Sequence, residues 1–310
     1  MIVGIFEAGC ALGSRIETNE DLCRTLTVTP EWIVSKTGIL QRHKAQGPET
    51  TSSLALEASR SVLKEAGVSP SQLGMIVACT FCNDYLFPSL ALRLNRDLGA
   101  HAQQAYDLQS NCSGILSALI AVSDRLKADH SIEWALVVGA EVLSPFIDPY
   151  DENTAPYFSD GAGALLLSRA HRGGIVSSAF TTTSDNYESV RCVHGGQIEQ
   201  AGLATWKQAV TYLPPVIKTA VERAGWTMNE VDVFIPHQAN LVLLEFLAKR
   251  LGWEDKLFTT VATNGNTGAA SLAVGFADAF VAGLLPPGAK VVAAGIGAGF
   301  SHGAVAMEMP

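Results

Sequence analysis

Charge is scarce in this chain. Of its 310 residues only 16% are Asp, Glu, Lys or Arg, 48% are hydrophobic, and the formal net charge is −9. That balance excludes a disordered or fibrous protein and requires extensive burial, in two domains or one large pseudo-symmetric unit. The acidic excess and the lack of a basic tail exclude a general nucleic-acid binder. Cysteine is sparse as well: Cys10, Cys23, Cys79, Cys82, Cys112 and Cys192 are scattered along the chain. Cys79 and Cys82 form a C-x-x-C, but no second Cys pair or His pair follows at ligand spacing, so neither a metal nor a disulfide is expected there. The start Met1-Ile-Val-Gly-Ile-Phe lacks the basic region and cleavage pattern of a signal peptide, and the expectation is a reduced, cytoplasmic protein. The one membrane-like stretch, Ala269 to Leu285, contains Asp278 and ends at Pro286-Pro287; it reads as a buried core helix, not a span.

Within this apolar chain, Cys112 stands where the strand-like run before Asn111-Cys-Ser-Gly meets a long apolar-periodic helix. A thiol on the first helical turn faces unpaired backbone N–H groups and the positive end of the helix dipole, which favour thiolate. The chain also repeats itself. Glu65-Ala-Gly-Val-Ser-Pro-Ser-Gln-Leu-Gly-Met-Ile-Val-Ala-Cys79 echoes Arg223-Ala-Gly-Trp-Thr-Met-Asn-Glu-Val-Asp-Val-Phe-Ile-Pro-His237, each a helix ending at Gly, a polar turn and a buried strand. Helices are predicted before them, over Ser53 to Glu65 and Trp206 to Arg223. Asn111-Cys-Ser-Gly-Ile-Leu-Ser117 aligns with Gly265-Asn-Thr-Gly-Ala-Ala-Ser271, and Val137-Val-Gly-Ala with Ala293-Ala-Gly-Ile. An offset that stays near roughly 155 residues implies two homologous α/β halves, 1–170 and 171–310, with a loop-rich insertion at 181–204. A pseudo-twofold would bring Cys112, His237 and Asn266 together. Read singly, each has a structural role open to it: a small buried hydrophobe, a satisfied histidine and a turn-former.

The chain resembles the β-ketoacyl-acyl-carrier-protein synthase III group of thiolase-fold condensing enzymes. The resemblance rests on Thr18-Asn-Glu-Asp-Leu22, Glu31-Trp-Ile-Val-Ser-Lys-Thr-Gly38, the Cys112 turn, Phe158-Ser-Asp-Gly-Ala-Gly163, Pro236-His-Gln-Ala-Asn240, Gly265-Asn-Thr-Gly-Ala-Ala-Ser271 and Gly297-Ala-Gly-Phe-Ser-His-Gly303. It implies a thiolase-like α/β fold of two pseudo-twofold-related halves in five α-β-α-β-α layers, and a homodimer. It implies a triad of Cys112, His237 and Asn266, with the N–H groups of Cys112 and Ala298 as an oxyanion hole. The activity implied is acyl transfer from an acyl-coenzyme A to Cys112 followed by decarboxylative condensation with a malonyl thioester, free or on acyl carrier protein, without a metal or organic cofactor. A thiolase would show a second Cys in Gly295-Ile-Gly-Ala-Gly299, and an elongating synthase a second His at Asn266. Asp160 reads as a turn or interface residue.

For the substrate, the resemblance implies Trp32 stacking on adenine, Lys36 at a phosphate, Asn240 on pantetheine, and Phe87 reaching across the dimer to limit the acyl pocket. Lys207, Lys249 and Arg250 are candidates for carrier-protein docking. The chain departs from the family at Glu152, where an adenine-flanking Arg is expected, at Val242 in place of a basic docking residue, at Leu203 in place of an amide, and at His302 in place of a Trp. These departures keep a second reading open, a specialised-metabolism acyltransferase with an amine, hydroxyl or β-keto acceptor, and a third, a silent partner subunit.

Overall fold

The computed structural model describes residues 2–310. Local signals set many of its elements. Helix Thr51–Ala66 opens with a capping box between Thr50 and Ser53 and stops at Gly67, whose φ of 65° suits a residue without Cβ. A 3₁₀ turn over Pro70–Gln72, capped by Ser69, then leads into strand Leu73–Cys79. The second half repeats this syntax. Helix Gly202–Arg223 is followed by Gly225 at φ 75°, a 3₁₀ turn over Met228–Glu230 boxed by Thr227 and Glu230, and strand Val233–Pro236.

The first sheet runs Ile2–Leu12, Gly161–Ala170, Trp134–Glu141, Leu73–Cys79, Gln104–Asp107. The second runs Gly174–Thr182, Ser301–Glu308, Lys290–Gly297, Val233–Pro236. Strand directions agree position by position. In each sheet the strand carrying the repeat motif pairs parallel with its neighbour, and the next two pairings are antiparallel. Gln104–Asp107 has no counterpart in the second sheet. The chain crosses from one sheet to the other at residues 171–173. The region 181–204 holds a small hairpin, Val190–Cys192 with Ile198–Gln200, and its helix starts at Gly202, earlier than the predicted Trp206.

Helices Gly114–Ala128 and Ser271–Val281 lie between the sheets and bury most of their side chains, reaching solvent only toward their C-terminal ends, as at Asp124, Lys127 and Val281. Their residues join both sheets in one core, from Val3, Met75 and Val137 to Ile235, Val291 and Val305. Thr51–Ala66 and Leu90–Leu98 cover the outer face of the first sheet, Gly202–Arg223 and Leu241–Leu251 that of the second. The result is the five-layered α-β-α-β-α arrangement of thiolase-like folds. Small residues allow the middle layer to close: a Cβ on Gly163 would lie 2.5 Å from Val274 N, and one on Gly139 2.6 Å from Ala269 O. Backbone cannot yield as a side-chain tip can. Gly163→Ala is therefore expected to destabilise the fold by about 1–3 kcal/mol through overpacking, measured by denaturant unfolding; an unchanged midpoint would contradict this view of the middle layer.

Candidate active site

Cys112 stands at the head of one middle-layer helix. Leu108 N–H bonds Ala78 O at 2.8 Å, the chain turns through Asn111 at φ 48°, and one 3₁₀ turn, Asn111–Ser113, precedes Gly114–Ala128. A Cβ on Gly114 would sit 3.0 Å from Cys79 Cβ, so this helix starts directly on Cys79. Asn111 Nδ2 donates to Ala298 O at 2.9 Å, and a Cβ on Gly297 would meet Ser113 Oγ at 2.6 Å. The Gly297–Ala298 turn is thereby held against the nucleophile turn.

His237 follows strand Val233–Pro236, its N–H bonded to Ala294 O at 2.7 Å. The position a Cβ would take on Gly295 lies 3.0 Å from His237 Cβ and 3.5 Å from Leu116 Cδ1, so the imidazole and the Cys112 helix flank one glycine. His237 Nδ1 lies 2.5 Å from Ser271 Oγ, at the head of the other middle-layer helix. Ser271 Oγ already accepts from Gln238 N at 3.3 Å. Where the hydroxyl donates to Nδ1, the imidazole hydrogen stands on Nε2.

Asn266 is held as a strand residue would be: its N–H bonds Tyr157 O and its carbonyl accepts from Ser159 N, both at 2.9 Å. Its Oδ1 accepts from Gly268 N at 3.0 Å, which leaves Nδ2 as the outward group. Two buried cations secure the segment opposite. Arg42 donates to Pro156 O at 2.9 Å and Lys44 to Phe158 O at 3.1 Å. The turn Gly268–Ala270 packs on Asn111–Ser113, so the segment bearing Asn266 and Ser271 reaches both the Cys112 turn and His237.

The protonation states depart from the thiolate expected at a helix start. Burial, then the nearby Glu141 charge, pushes the Cys112 thiol up to about 12, and burial pushes His237 down to about 4. The resting pair is a thiol and a neutral imidazole, because desolvation outweighs a dipole that the intervening 3₁₀ turn sets back. Glu141 is itself fully buried. It accepts from Phe81 N at 3.1 Å, Thr80 Oγ1 at 3.2 Å and Cys82 Sγ at 2.6 Å, and its Cγ lies 3.0 Å from where a Cβ on Gly268 would stand. Burial pushes this carboxyl up to about 8.

Sequence reasoning does not single out Glu141, Ser271 or Gln238. The signals available are a carboxylate ending the apolar strand Trp134–Glu141 and the last residue of the Gly265–Ser271 motif. Gln238 Oε1 gathers Thr259 Oγ1, Thr260 N and Val261 N, fastening that loop beside His237. Asp160 is spent on the N–H groups of Ala45, Leu143 and Ser144 and on Ser144 Oγ. Cys79 and Cys82 are free thiols. Among the described residues no three His, Cys, Asp or Glu side chains group as metal ligands, and no helix is long and apolar enough to cross a membrane.

Trp32 and Lys36 share one face of helix Pro30–Thr37, which ends at Gly38 against Leu241, the residue after Asn240. Asn240 Oδ1 caps Leu243 N at 2.8 Å, leaving its Nδ2 unspent. Phe87 is 81% exposed in this single chain and does not join Cys112. Lys207, Lys249 and Arg250 lie exposed on adjoining helices, with Arg250 Nη1 donating to Val210 O at 2.9 Å. His302 is buried, its ring centroid 4.9 Å from that of Tyr212 and 6.3 Å from that of Phe300, so it fills an aromatic slot.

Two family models match this chain, 3-oxoacyl-[acyl-carrier-protein] synthase III over residues 106–184 and its C-terminal region over residues 221–309. A β-ketoacyl-[acyl-carrier-protein] synthase III of Bordetella petrii is 36% identical across 97% of this chain and 96% of its own. The chain belongs to the synthase III family. As a member it is an acyltransferase. The synthase III crystal structure from Aquifex aeolicus superposes with a TM-score of 0.95 at 31% identity, covering 99% of each chain. A priming β-ketosynthase of a polyketide pathway gives a TM-score of 0.94 at 28% identity, over 100% of this chain and 96% of the other.

Glu141→Gln tests the buried carboxyl. Folded Glu141 holds its proton to about 8 whereas an exposed glutamate loses it near 4.5. Its contribution to stability is therefore complete below the lower value and is lost as pH rises through the higher one. The variant should flatten that decline in denaturant unfolding at stepped pH, and should speed Cys112 alkylation by iodoacetamide at pH 8 to 9. An unchanged pH slope together with unchanged alkylation would refute both effects.

Proposed function

We propose that this protein is a decarboxylative Claisen condensing enzyme of the synthase III type, with Cys112, His237 and Asn266 as its catalytic residues. What supports the reading is that Ser271 Oγ bonds His237 Nδ1 and Gly268 N–H bonds Asn266 Oδ1, on a segment packed against the Cys112 turn, which leaves Nε2 and Nδ2 as the nitrogens without a partner. In the first half-reaction the Cys112 sulfur attacks an acyl thioester, the N–H groups of Cys112 and Ala298 hold the tetrahedral oxyanion, and the Cys112 proton leaves with the departing thiol. In the second, a malonyl thioester loses carbon dioxide. The electron pair passes into an enolate held by Nε2–H and Nδ2–H, and its carbon attacks the acyl-Cys carbonyl, returning Cys112. Neither half-reaction requires a metal or organic cofactor.

The two halves are read as 1–170 and 171–310. Trp32, Lys36 and Asn240 would line the mouth, Phe87 would enter the partner subunit of a homodimer, and Lys207, Lys249 and Arg250 would meet acyl carrier protein. The setting is cytoplasmic initiation of a fatty-acid or polyketide chain. A second reading, transfer to an amine, hydroxyl or β-keto acceptor, draws on Glu152 and Val242.

Intact-protein mass spectrometry with acyl thioesters should show one acyl adduct, absent in Cys112→Ala and discharged by a malonyl thioester with carbon dioxide release. An adduct discharged only by another nucleophile would favour the second reading, and no adduct from any donor would overturn both. Loss of one enolate donor in Asn266→Ala should slow decarboxylation on the order of a hundredfold while acylation persists. Ser271→Ala should lower decarboxylation more than acylation, since it frees the imidazole to take the other tautomer; equal effects on both steps would reduce Ser271 to a packing role.

A further inference from the structure

The turn that carries Ala298 is gripped from both sides. On one side Asn111 Nδ2 donates to Ala298 O at 2.9 Å, which ties the turn to the Cys112 loop. On the other, Phe300 N–H donates to Thr183 O at 2.7 Å and Thr183 N–H to Phe300 O at 3.0 Å, one rung beyond the pairing of Ser301 with Thr182. Past that rung the two strands part. One leads through Gly299 into the Ala298 turn, and the other through Ser184 and Asp185 to Tyr187, whose ring lies 3.9 Å from where a Cβ on Gly299 would stand. The last rung of a ladder frays unless something fastens it. Here the fastening is Gln208, a buried amide on helix Gly202–Arg223, which packs on strands Gly174–Thr182 and Ser301–Glu308. Its Oε1 accepts from Thr183 Oγ1 and its Nε2 donates to Asp185 O, both at 3.0 Å. Tyr212, one helical turn further along the same face, lies against His302, ring centroids 4.9 Å apart, and the His302 ring is 6.3 Å from that of Phe300.

From this we infer that Gln208 is a positioning residue for acyl transfer: acting through Thr183 and Phe300, it holds the turn that aims the Ala298 N–H at the oxyanion. The inference rests on the condensing reading above, in which that N–H stabilises the tetrahedral intermediate whereas the enolate is held by His237 and Asn266. A donor in such a hole works by being fixed before charge develops, so a loosened turn slows the reaction without weakening the binding of the acyl donor. An amide suits the place because one group supplies a donor and an acceptor together. Breaking either bond leaves a buried polar atom without its partner, which favours the closed rung over the open one. None of these contacts involves Asn266 or Ser271, so the groups that hold the enolate keep their own supports.

The test follows wild type, Gln208→Met, Thr183→Val and Thr183→Ser through Cys112 acylation by an acyl thioester, carbon dioxide release from a malonyl thioester, and Cys112 alkylation by iodoacetamide, which forms no oxyanion. Gln208→Met keeps the side chain's volume and Thr183→Val its shape, and each removes the bond between them; Thr183→Ser keeps the hydroxyl. Expected is a kcat for acylation about tenfold lower in Gln208→Met, with KM within about twofold of wild type. Thr183→Val should fall in the same sense and Thr183→Ser recover, with carbon dioxide release and alkylation unmoved in all of them. Gln208→Met combined with Thr183→Val should be no slower than Gln208→Met alone, because both substitutions break the same bond. Acylation at the wild-type rate in Thr183→Val, or equal falls in acylation and carbon dioxide release, overturns the inference. Thr183 is only half-buried, so its variants keep the test decisive if Gln208→Met does not fold. Amide hydrogen exchange reads the brace apart from the chemistry: the Thr183 and Phe300 amides should exchange faster in Thr183→Val and Gln208→Met. If wild type takes no acyl group, the condensing reading fails; faster exchange then still supports Gln208 as the brace of this turn, and unchanged exchange rejects it.

Discussion

Everything at the site depends on two helices closing against each other and against two sheets in a water-free middle layer. Gly114–Ala128 and Ser271–Val281 are buried over most of their length, with Asp124 and Lys127 reaching solvent only near the end of the first, and their burial is the dominant favourable term joining the halves. Close approach is possible because glycine and alanine line the contacts, as at Gly139, Gly163 and Ala273. Each helix delivers reactive groups at its head, the Cys112 turn on one and the Asn266-to-Ser271 segment on the other. Precision at the site is thus inherited from close-packed apolar contacts several residues away.

The same dryness determines the electrostatics. Burial pushes the Cys112 thiol up and the His237 imidazole down, so both favour their neutral forms. Several polar groups buried here are satisfied by specific partners: Ser271 with His237, Gly268 with Asn266, and three donors converging on Glu141. Arg42 and Lys44 extend this outward. Their buried charges are spent on the carbonyls of the segment that grips Asn266, so the amide side chain inherits its aim from two cations on a neighbouring strand.

At the rim, water returns and the rules change. Charges there, such as Lys207 and Lys249, stand in a screened medium, where single residues vary without disturbing the core. Leu203 is exposed and Glu152 and Val242 partly so, whereas His302 is buried with its ring tilted against Tyr212.

The chain's own order of residues determined the repeat syntax of helix, left-handed glycine, capped turn and strand, because those are local choices of φ and of side-chain caps within a few residues. It likewise determined that Cys112 and Asn266 fall in equivalent turns of the two repeats, and that His237 follows the strand whose counterpart ends at Cys79. Only the tertiary structure decided that Cys112 rests as a thiol, since desolvation is a property of the surroundings and not of a helix start. Glu141, Arg42 and Lys44 were invisible along the chain for the same reason: a charge reads as solvated until burial and a partner from a distant segment are known. The Thr27–Glu152 contact, bridging 125 positions, likewise exists only because the fold brings the two residues together.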